Sequence, residues 1–219
     1  MCHPAAAQND KPLLMLQANG LECLRGERRL FRDLDFNLRS GGLLRIEGPN
    51  GSGKTSLLRM LCGLLSPNAG ELRWNGTNIR KLGETYRSVL TYVGHSNGLK
   101  SDLNGIENLR LGEGIAGARI DAREAEDALA RLGLAACADL PTRLLSQGQR
   151  RRVGLARLAF RARCPLWVLD EPFVALDAAV VPEISAMLSA HLERGGMVVY
   201  TTHQDVPIEA ADHSSLRLG

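Results

Sequence analysis

The chain has 219 residues, 44% of them hydrophobic and 23% charged, with a formal net charge of +3, which is enough apolar material to bury one core without staples. Its five cysteines, Cys2, Cys23, Cys62, Cys137 and Cys164, are odd in number and never spaced C-x-x-C, so they read as buried reduced thiols rather than a disulfide framework or a zinc site. No apolar run approaches the roughly 18 residues of a membrane span and the N-terminus lacks a signal pattern, so a soluble, cytosolic chain is expected.

Residues 1–11 are expected to be disordered, and the isolated pairs Cys2–His3 and Cys164–Pro165 carry no metal or haem reading. From Leu13 to about Trp74 short extended stretches alternate with glycine, as in Leu34–Leu38 and Leu43–Glu47, separated by a turn at Ser40, Gly41 and Gly42. Basic residues cluster at Arg25 to Arg32 and again at Arg150 to Arg152. With 4% aromatics and no recognition motif they suit a solvated face or a partner surface, not nucleic acid.

Gly48 to Thr55 reads GPNGSGKT, a G-x-x-x-x-G-K-T loop between an apolar strand (Leu43, Leu44, Ile46) and a helix-like run (Ser56, Leu57, Leu58, Met60, Leu61). Inward-facing N–H groups of such a loop form a nest for the phosphates of a nucleoside triphosphate at the positive end of a helix. Lys54 would reach the β and γ oxygens, and Thr55 would offer its hydroxyl to Mg²⁺.

From Ser96 to about Phe160 the pattern is helical. Asp121 with Glu124 forms a capping-box start, Ala125, Ala128, Leu129 and Leu132 make a stripe, and Gly133 suits a C-cap. Ser146 with Gln149 in LSQGQ opens another helix with free N–H groups at its start. From Leu166 strand and helix alternate: LWVL, a helix about Ala178 to Glu193 with Ile184, Met187, Leu188 and Leu192 on one face, closing glycines Gly195 and Gly196, then MVVYTT and a possible strand Ser214 to Leu218. Such alternation implies a parallel sheet with covering helices. LWVLDEP ends its strand in two carboxylates, Asp170 to hold the Mg²⁺ shell through water and Glu171 to orient and deprotonate an attacking water.

LSQGQ about 20 residues before LWVLDEP resembles the signature of ATP-binding-cassette (ABC) ATPases. GPNGSGKT then matches Walker A (Gly48, Pro49, Asn50, Gly51, Ser52, Gly53, Lys54, Thr55, with Ser56 following) and LWVLDEP matches Walker B with the catalytic glutamate. Ala175, Leu176 and Asp177 match the D-loop, and His203 the switch histidine that contacts the γ-phosphate. The resemblance implies an α/β P-loop NTPase core with a parallel sheet, an N-terminal antiparallel β subdomain and an inserted helical subdomain. It places one ATP-binding domain over 12–219, with the core in 12–95 and 161–219 and the helical part in 96–160. It also implies ATP and Mg²⁺ as cofactors, and a head-to-tail pair in which Ser146, Gly148 and Gln149 of one copy close on the P-loop of the other.

Three departures stand out: His95 replaces the Q-loop glutamine, Gln147 the first signature glycine, and Arg25 falls near the aromatic that stacks on adenine. An imidazole is a poor direct partner for Mg²⁺, and a guanidinium plane can stack in place of a ring. Together with DEPFVALD and TTHQD, these residues resemble the ATP-binding subunit of the haem exporter of cytochrome c biogenesis. That resemblance implies a haem-transporting ATPase bound peripherally to integral membrane subunits at the cytoplasmic face of the bacterial inner membrane. The alternatives are the ATPase of another exporter, a soluble ABC mechanoenzyme, or a P-loop kinase.

Overall fold

A computed structural model describes residues 14–219; the expectation for residues 1–11, and the pair Cys2–His3, lie outside the described residues. Strands β1 (Met15–Arg25) and β2 (Arg28–Arg39) form a long hairpin closed at Gly26 and Glu27, where Gly26 takes φ 62°. Strand β3 (Gly42–Glu47) feeds the glycine-rich loop and helix α1 (Lys54–Leu61). The chain continues through β4 (Ala69–Trp74), β5 (Thr77–Asn78), the short helices α2 (Ile79–Leu82) and α3 (Glu84–Ser88), and β6 (Leu90–Val93). Helices α4 (Gly105–Ile115), α5 (Ala122–Arg131) and α6 (Gln147–Ala156) follow, then β7 (Leu166–Leu169), α7 (Val181–Glu193), β8 (Met197–Thr201) and β9 (Asp212–Arg217).

The strands form two sheets. An antiparallel one runs β2-β1-β4-β5, and a parallel one runs β6-β7-β8-β3-β9. Every residue of β7 and β8 is buried, as a parallel sheet covered on both faces requires. Because side chains alternate along a strand, each central strand feeds two cores. Trp167, Leu169, Val198 and Tyr200 meet the helices α4 to α7, while Leu166, Val168, Met197 and Val199 meet α1 and the antiparallel sheet. The parallel sheet is thus the middle layer, and the C-terminal ends of β3, β7 and β8 converge at one edge.

Helices α4, α5 and α6 each begin with a complete reciprocal capping box, at Asn104–Glu107, Asp121–Glu124 and Ser146–Gln149. The stripe on α5 is buried as its spacing requires. Several local expectations shift. Strand β2 runs back to Arg28, since β1 pairs with it from Met15–Arg39 down to Arg25–Arg28. Helix α7 starts at Val181, not Ala178, with Pro182 in its first turn, where the missing N–H has no intrahelical role. Cys23 and Cys62 are buried, but Cys137 and Cys164 are only partly so.

One buried group was not singled out in the sequence. His191 of α7 is 1% exposed and lies flat on Trp167, with ring centroids 3.8 Å apart and planes 5° from parallel. A Cβ on Gly196 would fall 2.2 Å from its Nε2, so glycine is required there. Burial pushes the imidazole down from 6.5 to about 4; Arg194 adds to this, and the backbone of Pro165 and Met197 offsets it only in part, since neither ring nitrogen has a partner in hydrogen-bonding geometry.

Folding therefore keeps His191 neutral at pH values where the unfolded chain protonates it. Its contribution is complete above about pH 6.5, declines as pH falls, and levels near pH 4 after a loss of roughly 3 kcal/mol. Urea unfolding from pH 7 to pH 4 should show this loss, and His191→Phe, which keeps an aromatic ring against Trp167, should remove that part of the pH dependence.

Candidate functional site

The turn from β3 into α1 is shaped by glycine. Gly48 takes φ 146°, and a Cβ there would sit 2.5 Å from the Leu218 carbonyl and 2.6 Å from Ser52 Oγ. Gly53 caps α1 at φ 105°, packed against Leu30 and Phe31 of β2 at 3.1 Å from where its Cβ would be. The loop is thereby wedged between the last strand and the hairpin. Lys54 is 7% exposed, and its ammonium donates to the carbonyls of Gly48 (2.7 Å) and Pro49 (3.2 Å). The Ser52 hydroxyl is buried and has no partner among the described residues, an orphaned donor within the loop.

At the end of β7 the Asp170 carboxylate, 3% exposed, is held on both oxygens. Thr55 Oγ1 donates to Oδ2 at 3.0 Å, and Thr201 Oγ1, at the end of β8, donates to Oδ1 at 2.9 Å. The Thr201 hydroxyl also accepts the Glu171 backbone N–H at 2.8 Å. Glu171 sits at φ 51°, in the left-handed region that a side chain enters only when its surroundings enforce it. Its Oε1 lies 3.4 Å from Nε2 of the half-exposed His203.

Arg151 of α6 fastens this edge to the helical layer. One end of its guanidinium donates to the Gly94 carbonyl (2.7 Å) and Asn97 Oδ1 (2.8 Å), and the other to the Asp170 carbonyl. Burial lowers its pKa, and the carboxylates of Asp170 and Glu171 oppose that shift. Neither Arg151 nor Thr201 stands out in the sequence. Arg151 lies in a run of three arginines that reads as solvent-exposed, and Thr201 is marked only as a polar residue closing an otherwise apolar buried strand.

The structure brings Lys54, Thr55, Ser56, Asn50, Gly51, Gly53, Glu171 and Arg25 together around a cavity of about 380 Å³, to which the hairpin adds Arg28 and Leu30. Asp170 joins this group through Thr55 and His203 through Glu171, and Gly48, Pro49 and Ser52 belong to the same loop. His95 and Ser146 are exposed and do not line this cavity, nor do the half-buried Gly148 and Gln149. Gly148 instead packs on the Ala175 carbonyl, which leaves no room for a side chain, and Asp177 pairs with Arg152 at 3.4 Å. The basic walls, the orphaned Ser52 donor and a lysine resting on loop carbonyls fit a polyphosphate. Two oxygens, from Thr55 and Asp170, fit a hard cation that takes its remaining ligands from phosphate and water. Among the described residues no cluster of three or more His, Cys, Asp or Glu could hold a metal by itself.

The family model described as ABC transporter matches residues 31–174. The cytochrome c biogenesis ATP-binding export protein of Nitrosomonas europaea is 57% identical over 89% of this chain and 91% of its own length. That of Dechloromonas aromatica is 54% identical over 94% of this chain and 100% of its own, and that of Salmonella typhi 45% over 88% and 91%. Among solved structures, an ATP-binding cassette captured as a dimer in a post-hydrolysis state with ADP and Pi superposes with a TM-score of 0.74 at 24% identity, covering 86% of this chain and 88% of that one. An ATP-binding subunit of an ABC transporter gives 0.74 at 23% identity over 86% and 80%.

The Thr201 hydroxyl serves two buried partners at once. Thr201→Val should leave an Asp170 oxygen and the Glu171 N–H unpaired and cost about 2–4 kcal/mol in denaturant unfolding, while Thr201→Ser should change stability by less than about 1 kcal/mol.

Proposed function

This chain belongs to the ABC transporter family, among the cytochrome c biogenesis ATP-binding export proteins, and we propose that it is the ATP-hydrolysing subunit of the complex that exports or releases haem for c-type cytochrome assembly. The observation that supports the catalytic part of this reading is that Lys54, Thr55 and Glu171 line one cavity to which the start of α6 contributes no residue. The residues suited to phosphate, metal and water line one cavity, while the start of α6, with its capping box and free N–H groups, faces elsewhere.

In this reading Lys54 exchanges the loop carbonyls for phosphate oxygens, and the N–H groups of Asn50 to Ser56 surround the phosphates. Thr55 and Asp170 would hold Mg²⁺, which would supply positive charge beside the phosphoryl oxygens. Glu171, set by its unusual backbone conformation, aligns the attacking water and takes its proton. His203 beside it donates to the γ-phosphate and keeps Glu171 aimed. Ser146, Gly148 and the α6 N-terminus of a second copy complete the γ-phosphate cage, with the positive helix end at the charge that develops. Gln149 holds Ser146 through the capping box, and Asp177 would exchange Arg152 for contacts across the pair.

Residues 96–160 form the helical subdomain on which the membrane subunits dock. A smaller cavity between Leu99, Leu109, Leu111, Ile115 and Val153 supports this, with Ile115 78% exposed beside it. Asn97 joins that cavity to the catalytic edge through Arg151, a path by which nucleotide state reaches the docking face. Among the described residues no helix is long and apolar enough to cross a membrane, in keeping with peripheral attachment at the cytoplasmic face.

Glu171→Gln should form a stable dimer at saturating ATP in light scattering after gel filtration, with turnover reduced about 100-fold or more. Lys54→Ala should remain monomeric and bind no nucleotide. Persistent Glu171→Gln monomers would remove the shared-site reading. Mild detergent extraction should recover the chain with membrane subunits of cytochrome c assembly; recovery only with ribosomes or DNA would overturn the transport role.

A further inference from the structure

We propose that Arg45 is a positioning residue for hydrolysis: its guanidinium tethers the loop that carries His203 to the strand that feeds the phosphate loop, and so holds that histidine beside Glu171. This rests on the reading of His203 as the γ-phosphate contact. Strand β8 ends at Thr201 and β9 begins at Asp212, and the chain between them is irregular. Its local support is slight: Thr202 Oγ1 accepts the Gln204 N–H at 3.0 Å and donates to the Gln204 carbonyl at 3.2 Å. Among the described residues, the polar contacts that join residues 203–208 to distant parts of the chain are that of His203 with Glu171 and those made by Arg45. Arg45 Nη1 donates to Asp205 Oδ1 at 3.0 Å and Nη2 to the Gln204 carbonyl at 3.4 Å, while Nε lies 2.8 Å from Glu47 Oε1. Val206 is buried and anchors the far side of the loop, but His203, Gln204 and Asp205 are exposed.

The guanidinium has a fixed base. Strand β3 lies between β8 and β9, with Arg45 in register with Tyr200 and Ser215. Buried Tyr200 meets Phe173, two residues beyond Glu171, edge-on with ring centroids 6.4 Å apart. Arg45 is thus built on the same packed layer as the catalytic edge. A cation on this strand, its side chain 19% exposed, is stable only when paired. Glu47, two residues along and so on the same face, meets that need. Asp205 has no such need of its own, because its side chain is 96% exposed and solvated. The Asp205 contact therefore acts on the loop more than on the burial of Arg45. An exposed ion pair is worth up to about fivefold in an equilibrium and is screened by salt, and that factor sets the size of the effect on His203.

The test uses the full-length chain assembled with its membrane subunits. Asp205→Asn should lower kcat for ATP about two- to fivefold at low salt, with KM within about twofold of wild type, and the two kcat values should converge at about 1 M salt. Asp205→Glu should recover most of the loss. In hydrogen exchange the peptide spanning Thr202 to Ile208 should open about two- to fivefold more readily in Asp205→Asn, while the β3 peptide and the thermal melt stay as in wild type. Arg45→Gln with Asp205→Asn should be no slower than Arg45→Gln alone, since both remove one contact. An unchanged kcat in Asp205→Asn, a raised KM in place of a lowered kcat, a loss that persists at high salt, unchanged exchange over Thr202 to Ile208, or additive losses in the double variant would each overturn the tether. His203→Ala separates the two levels: wild-type turnover in that variant removes the reading of His203 itself, whereas a slow His203→Ala beside a fully active Asp205→Asn removes the tether alone.

Discussion

Asp170 is the point on which the site hangs. A carboxylate at 3% exposure is stable only when its oxygens are hydrogen-bonded, and here the donors come from α1 and β8 while its carbonyl accepts from α6. Each of those bonds joins elements far apart in the chain. The requirement that one buried charge be satisfied therefore fixes the start of α1, the ends of two central strands and one face of the helical layer relative to each other. Glu171 inherits its position from the same cluster through the Thr201 hydroxyl.

The middle sheet makes that cluster possible. Strands buried on both faces cannot hold charged residues along their length, so polar groups collect where the strands end. The loop after β3, the DE pair after β7 and the Thr-Thr-His segment after β8 share one edge because parallel pairing aligns their C-terminal ends. Arg151 then carries the position of this edge outward, through Asn97, to the apolar cavity beside α4. The start of α6 is held separately, by its capping box and by the close approach of Gly148 to the Ala175 carbonyl.

Much of this was legible in the amino-acid order because the signals are local. The glycine-rich loop, the capping boxes at Asp121–Glu124 and Ser146–Gln149, the α5 stripe and the all-apolar strands depend on contacts within a few residues, and periodicity reports such contacts directly. Boundaries were less legible: β2 extends six residues further back than its apolar run, since cross-strand hydrogen bonding continues through the arginines. His95, which its alignment with a nucleotide-contacting position marks in the sequence, is exposed and does not line the cavity.

The sequence by itself determined the glycine-rich loop, the carboxylate pair, the starts of α5 and α6 and the family, because each is a matter of residue type at fixed short spacing. Only the tertiary structure decided that Thr201 and Arg151 hold Asp170, that His191 stacks on Trp167, and that Arg25 and Arg28 of the hairpin line the same cavity as Lys54. Those are properties of partners brought together across long stretches of chain. An arginine in a basic run looks the same on a solvated face or in a buried fork until folding chooses its neighbours.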